Sequence, residues 1–460
     1  MRFLLLWLYA SMLRLATPLY LWRVWSRGRV EPDYRWHWWE RLGFYGQAHR
    51  RAVRVSSQLN QLEAANRPLI WVHAVSLGEA RAASALIHAL RERCPGMRLL
   101  ITHGTATGRA AGQALVDASR GDLQTWLPYD TPGAVRRFLR LHRPALGVLM
   151  ETEVWPVLQR ETARARVPMV LANARLSERS LRQGLRLSAL MRPAVRRLSL
   201  VLAQTQDDAR RVQTMIEPDG LPQAGRPAVL VCGNVKFDMT PSPSLLALGH
   251  AWREAAGPRP VVLAASTREG EEAGLLAAWR QAREVALAQG RPMEARLCIV
   301  PRHPHRFDEV AALVRQAGFG LVRRSQWPQG QPDAAAWRAD VWLGDSMGEM
   351  PAYFAAAQVA LLGGSFAPLG GQNLIEAASC ACPIVTGPST FNFAEAAELS
   401  REAGASRSAS NWSDGVALAL SWLAHPDLPA DAQRCLAFAD AHRGAAARSA
   451  VDILGLLTPP

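Results

Sequence analysis

Several short segments of this chain gather acids, cations and glycines at spacings suited to group-transfer chemistry. In WVHAVSLGEAR (71–81), Ser76 and Glu79 stand three residues apart. That is the spacing of a capping box, in which serine caps a helix and glutamate reciprocates. A carboxylate there, facing a cleft between domains, can equally take a proton from a hydroxyl, and Gly78 lets a substrate approach the backbone closely. LMETEVWP (149–156) carries Glu151 and Glu153, either acids that complement a helix dipole or a further functional pair. GNVKFD (233–238) carries Lys236, the only lysine among 53 basic residues. A lysine that survives where arginine otherwise serves hints at a site needing a compact ammonium rather than a planar fork.

The later segments suit phosphate and ribose. ASTREGEE (265–272) and VPRHPHR (300–306) each follow an apolar run, and the second presents Arg302 after Pro301 in a proline-stiffened loop. Arginine grips phosphate bidentately. GDSMGE (344–349) supplies Met347, Gly348 and Glu349, and GGSFAPLGGQNLIE (363–376) brackets a helix start with glycines. Free N–H groups at such a start favour an anion. Asn373 and Glu376, on either side of Leu374 and Ile375, share one helix face, where a carboxylate can accept both hydroxyls of a ribose. Several such loops at successive strand ends point to a nucleotide-bearing donor. No Asp-x-Asp motif or His/Asp cluster suggests a metal, so cations and a helix dipole are expected to do that work, with no cofactor.

The elements that must position these residues are legible as alternation. Apolar runs at 69–73, 98–102, 145–150, 168–172 and 198–203 are separated by amphipathic helical stretches. After a Gly/Pro-rich break at Glu217–Pro227, runs restart at 229–232, 260–265, 297–300, 321–323, 341–343, 359–363 and 383–386. Short continuous apolar strands between helices predict parallel sheets covered on both faces. Such sheets bind ligands beyond the carboxyl ends of their strands. The expectation is an α/β chain of two tandem Rossmann-like doubly wound domains, 26–220 and 228–460, with a hinge near 220 and Lys236 leaving the first strand of the second. The stretch after Asp431 reads as helical, with the potential to cross back onto the first domain.

Residues 1–25 form a nearly continuous apolar and aromatic run with Arg14 in its middle, a placement that costs roughly 2.5–3.5 kcal/mol in a spanning helix. Arg23, Arg27, Arg29, Arg35 and Arg41 follow, with Trp36, Trp38 and Trp39 among them, and no cleavage region appears. The segment reads as an uncleaved membrane anchor with the rest of the chain on the cytoplasmic side. The net charge of +14 calls for an anionic partner. An arginine series at 175, 179, 182 and 186 is a candidate for one, or an ordinary solvated face. The six cysteines lack disulfide or zinc spacing and read as buried thiols of a reducing compartment. No nucleic-acid motif is present, which weighs against a basic nucleic-acid binder.

In order along the chain, HAVSLGE, METEVWP, LANARLSERS, GNVKFD, ASTREGEE, PRHPHRF, GDSMGEM and GGSFAPLGGQNLIE resemble the Kdo (3-deoxy-D-manno-octulosonic acid) transferases of lipopolysaccharide synthesis, inverting glycosyltransferases of the GT-B fold. The resemblance implies CMP-Kdo as donor and lipid IVA, the lipid A precursor, as acceptor at the inner membrane. It implies Glu79 as general base, with Glu151 and Lys236 stabilising the transition state. Pro301, Arg302, Met347, Gly348, Glu349, Asn373, Leu374, Ile375 and Glu376 match the CMP-binding segments. A UDP-sugar transferase of the same fold is the nearest alternative.

Overall fold

A computed structural model describes residues 2–29, 31–62, 67–217, 226–238, 240–255, 257–291 and 293–457. The chain divides into two compact units, one of Met1–Met239 with Arg443–Pro460, the other of Thr240–His442. Of the predicted hinge, residues 218–225 lie outside the described residues.

The first unit is built on strands β1 (Leu69–His73), β2 (Arg98–His103), β3 (Leu123–Trp126), β4 (Leu146–Met150), β5 (Met169–Ala174), β6 (Leu200–Ala203) and β7 (Ala228–Val231). They pair in parallel in the order β3-β2-β1-β4-β5-β6-β7. In β1, alternate residues go to opposite cores. Ile70 and Val72 pack towards the helices Leu77–Arg93 and Ala445–Gly455, while Leu69 and Trp71 join the cluster that takes Leu6 and Ala10 of the N-terminal helix Arg2–Arg27. Every residue of β1 is buried, which suits its apolar Leu69–Val72 run, and the one polar residue, His73, is hydrogen-bonded to Thr102.

The second unit carries β8 (Val261–Thr267), β9 (Arg296–Pro301), β10 (Leu321–Arg323), β11 (Val341–Leu343), β12 (Val359–Leu362), β13 (Ile384–Thr386) and β14 (Ser406–Ser408). These are again parallel, in the order β10-β11-β9-β8-β12-β13-β14. In each sheet the strand order reverses direction beside the first strand, between β1 and β4 and between β8 and β12. Such a switch point is where an open α/β sheet makes its ligand crevice.

Two expectations about boundaries need correction. The predicted second domain began at 228, but β7 pairs with β6, Leu200 opposite Ala228, and closes the edge of the first sheet. Lys236 therefore belongs to the first unit. A strand that follows a Gly/Pro break looks the same in sequence whether it extends the old sheet or starts a new one. The predicted second domain also ran to 460, whereas the last helix returns to the first unit, where Ala446, Ala450 and Ile453 are buried against the Leu77–Arg93 helix. Strands β3 (LQTW) and β14 (SRS) were not anticipated, being short and partly polar.

Candidate active site

Glu79 lies in the first turn of the Leu77–Arg93 helix, just past the end of β1. Ser76 caps that helix, its Oγ accepting the Glu79 N–H at 3.4 Å and donating to Oε1 at 3.0 Å, while Oε2 accepts the Val75 N–H at 2.9 Å. The capping role is thus real, yet each carboxylate oxygen keeps a second lone pair, so capping does not preclude basicity. Glu151 leaves the neighbouring strand β4 with φ of +59°, a left-handed conformation rare for glutamate and typical of strain held at functional sites. Its Oε1 pairs with Lys236 Nζ at 2.7 Å. Glu153 accepts the Trp155 indole N–H at 2.7 Å. The strand ends of β1 and β4 thus gather three carboxylates and the lone lysine.

Electrostatics separate their roles. Burial raises the Glu79 carboxyl above its ordinary range, with the Val75 N–H opposing, Glu151 adding to the rise, and Ser76 and Lys236 opposing it. Glu153 is pushed up to about 7, mainly by burial and then by the charge of Glu79, against the Trp155 hydrogen bond. His73 ends β1 wholly buried, with Nδ1 2.9 Å from Thr102 Oγ1, and burial pushes it down to about 3. So low a value makes it a poor proton acceptor at neutral pH.

Sequence reasoning gave no role to the residues that hold Lys236 in place. Asn173, at the end of β5 with φ of +54°, accepts the Val235 N–H on Oδ1 at 3.1 Å. Asp238 accepts the N–H groups of Gly444 and of Ala446, the latter at 2.6 Å, and so ties the Lys236 turn to the start of the C-terminal helix. From that helix Arg448 reaches back to the Cys232 carbonyl at 2.8 Å. Asn173 and Asp238 both stand inside quoted motifs, LANARLSERS and GNVKFD, which was the available signal.

A cavity of about 380 Å³ opens beside the acids. Leu13, Thr17 and Tyr20 of the N-terminal helix form one wall, and Val75, Glu153 and Trp155 lie across it. The helix therefore borders the same space as Glu153, while Glu79 and Glu151 stand outside its lining.

In the second unit the nucleotide-suited segments stand at strand ends. Arg302 follows Pro301, the last residue of β9, and its N–H donates to the Thr267 carbonyl at 2.9 Å. Beneath it, buried Glu272 accepts from Thr267 Oγ1 at 2.7 Å and pairs with buried Arg306 at 2.6 Å. Glu271 accepts the Arg268 and Gly364 N–H groups at 2.8 and 2.7 Å and the Ala367 N–H at 3.2 Å, clamping the glycine loop to β8. Gly363 must be glycine, since a Cβ would sit 2.5 Å from the Ser266 carbonyl oxygen. Burial, with Arg268 and Arg302 nearby, lowers His303 and favours its neutral form, leaving the arginines as the fixed positive charges.

Met347 is exposed, Gly348 takes φ of +82°, and Glu349 is tied to Arg324 at 3.0 Å and to Ser346 Oγ at 2.5 Å. Asn373 stands at the start of the Leu374–Ser379 helix. Its Oδ1 accepts the Ile375 N–H at 3.2 Å as a helix cap, and Glu376 lies in the first turn. Leu374 and Ile375 are wholly buried, and their side chains belong to the core. Among the described residues no group of three His, Cys, Asp or Glu could hold a metal ion, and the six cysteines are unpaired, all but Cys94 buried.

Acids and a lysine at the switch point of one doubly wound unit, with phosphate-suited loops at the strand ends of the other, define a glycosyltransferase of the GT-B fold. A glycosyltransferase from Rickettsia africae shares that fold, with a TM-score of 0.54 over 86% of this chain and 100% of its own at 11% identity. Residues 36–239 match the family model of 3-deoxy-D-manno-octulosonic-acid transferase (kdotransferase). The 3-deoxy-D-manno-octulosonic acid transferase of Bordetella pertussis is 47% identical, covering 83% of this chain and 85% of the relative; that of Haemophilus influenzae is 32% identical, covering 84% and 83%. The chain belongs to the Kdo transferase family.

Proposed function

We propose that this enzyme transfers Kdo from CMP-Kdo to lipid IVA, at the cytoplasmic side of the inner membrane, by a single inverting displacement. The observation that carries the reading is the grouping of Glu79, Glu151 and Lys236 past the ends of β1, β4 and β7, with their neighbour Glu153 lining a cavity that the N-terminal helix also lines. A lipid-borne acceptor would reach the acids along that helix. Its hydroxyl oxygen attacks the anomeric carbon of Kdo while Glu79 takes the proton. The bond from that carbon to the phosphate oxygen breaks, and CMP leaves with the electron pair. Lys236, held by Glu151, supplies positive charge where negative charge develops. Arg302 and the Gly363–Asn373 loop would hold the CMP phosphate, and Glu376 the ribose. These cations suffice for charge stabilisation, so chelation by EDTA should leave turnover unchanged.

Mass spectrometry of lipid IVA after incubation with CMP-Kdo tests the reaction by counting attached sugars. Glu79→Ala should lower turnover by about 100- to 10,000-fold while CMP binding persists. Wild-type turnover in that variant would return Glu79 to a purely capping role.

A further inference from the structure

The N-terminal helix is long and apolar enough to cross a membrane, yet it is docked lengthwise on the first unit. Leu6 and Ala10 are buried in the core on one face, and the helix packs against those at Pro156–Arg164 and Ser188–Val195. Leu4, Trp7, Leu8, Leu15, Leu19 and Trp22 are exposed and recur at helical spacing as one stripe on the opposite face. At 100° per residue Arg14 falls on the flank of that stripe, where its side chain can reach a headgroup layer. A helix with one face in the protein, one apolar face outward and a flanking arginine is built to lie in a membrane surface.

At the Leu5 end of the helix is a second cavity, of about 540 Å³, walled by Arg192, Arg196, Arg197 and Arg226, with no carboxylate among its described lining residues. Arg192 and Arg196 donate through Nε to the carbonyls of Met215 and Ile216 at 3.0 and 2.9 Å, which fixes their guanidinium planes. Arg197 also donates to the Pro193 carbonyl at 2.6 Å, and burial, with Arg160 and Arg164 nearby, lowers the pKa of its guanidinium. The nearby acid Glu161 already pairs with Arg136 at 3.2 Å and Arg164 at 3.1 Å. Arg196 and Arg197 precede β6 and Arg226 precedes β7, so this cavity lies at the amino ends of the strands. Glu79 and Glu151 lie at the carboxyl ends. The helix runs between these ends, Leu5 at one and Tyr20 at the other, about 22 Å apart at 1.5 Å per residue.

We propose that the arginine cavity beside Leu5 binds the phosphate of an anionic bilayer phospholipid while the exposed face of the N-terminal helix lies in the membrane surface. Arginine pairs bidentately with phosphate, and the apolar stripe lies on the same helix, so one lipid surface meets both features. The site is separate from the acceptor's and rests on the membrane association proposed above.

The test is co-sedimentation with phosphatidylcholine vesicles, with and without phosphatidylglycerol. Wild-type protein should bind both, the anionic vesicles more tightly. Arg197→Gln/Arg226→Gln, which leaves the Arg192 and Arg196 bonds to the Met215 and Ile216 carbonyls in place, should lose about tenfold in affinity for the anionic vesicles and none for the neutral ones. Its turnover on detergent-dispersed acceptor and its melting temperature should match wild type. An unchanged preference for anionic vesicles, an equal loss on both, or a raised KM for dispersed acceptor would each overturn the headgroup site. Failure of wild-type protein to bind either vesicle would overturn the membrane association as well.

Discussion

At Glu79 one carboxylate closes a capping box and is also the base proposed above, and its pKa separates the two roles. The base must be ionised, so kcat/KM should fall as pH drops through the Glu79 pKa. Burial raises that pKa, so the acid limb should lie above the ordinary 4.5. Ser76→Ala removes a hydrogen bond that favours the ionised form and should move the limb to higher pH, besides costing about 1 kcal/mol in helix capping. Glu151→Gln removes a like charge and should move it lower. A pH profile of kcat/KM in which neither variant moves the limb would assign it to another group. The sequence exposed these residues because their types were conspicuous: a glutamate three past a serine, a single lysine. It could not reveal the strain at Glu151 or the acidity of Glu153, since both depend on which strands lie side by side.

Strands and helices were legible by apolar runs, and the errors are those of partnership. β7 was recognised as a strand, but its exposed Leu230 and Val231 reflect an edge position that alternation alone does not encode. The consequence falls on Lys236, which the turn after β7 brings to Glu151 at the end of β4, in the first unit. That turn is held by Asp238 across more than 200 residues of sequence, a pairing no local pattern contains. Asp238→Ala frees the start of the C-terminal helix and loosens the lysine. Displacement of about 1 Å at a reacting centre can lower turnover about 100-fold. The variant should therefore lose kcat by about 10- to 100-fold with CMP affinity intact, and lose about 2 kcal/mol of stability, the upper range for a lost cap. Asp238→Asn, which keeps one acceptor, should recover part of both. Wild-type kcat in Asp238→Ala would mean that Lys236 holds its place by its ion pair alone.

At the scale of the whole chain, the division at Met239 and Thr240 sorts the machinery more cleanly than the sequence implied. Glu79, Glu151 and Lys236 all belong to the first unit, whereas the segments matched to CMP binding all belong to Thr240–His442. The tandem of doubly wound units was readable because parallel strands buried on both faces are built on short apolar runs, with polar residues such as His73 and Arg296 at their ends. The crossing of the C-terminal helix back to the first unit was only suggested, because a helix records in its sequence that it buries a face but not against what. Ligand binding stabilises only the state that binds it, so donor binding and chemistry should separate by mutation. CMP should raise the melting temperature of wild type and of Glu79→Ala alike. Arg302→Ala should lose most of that rise, because a charge-assisted contact to phosphate contributes about 1.5–3 kcal/mol, roughly 10- to 100-fold in affinity. Differential scanning calorimetry with and without CMP distinguishes the cases. If Glu79→Ala lost the CMP response while Arg302→Ala kept it, the donor would be held by the acids' unit, and the roles assigned to the two halves of the chain would have to be exchanged.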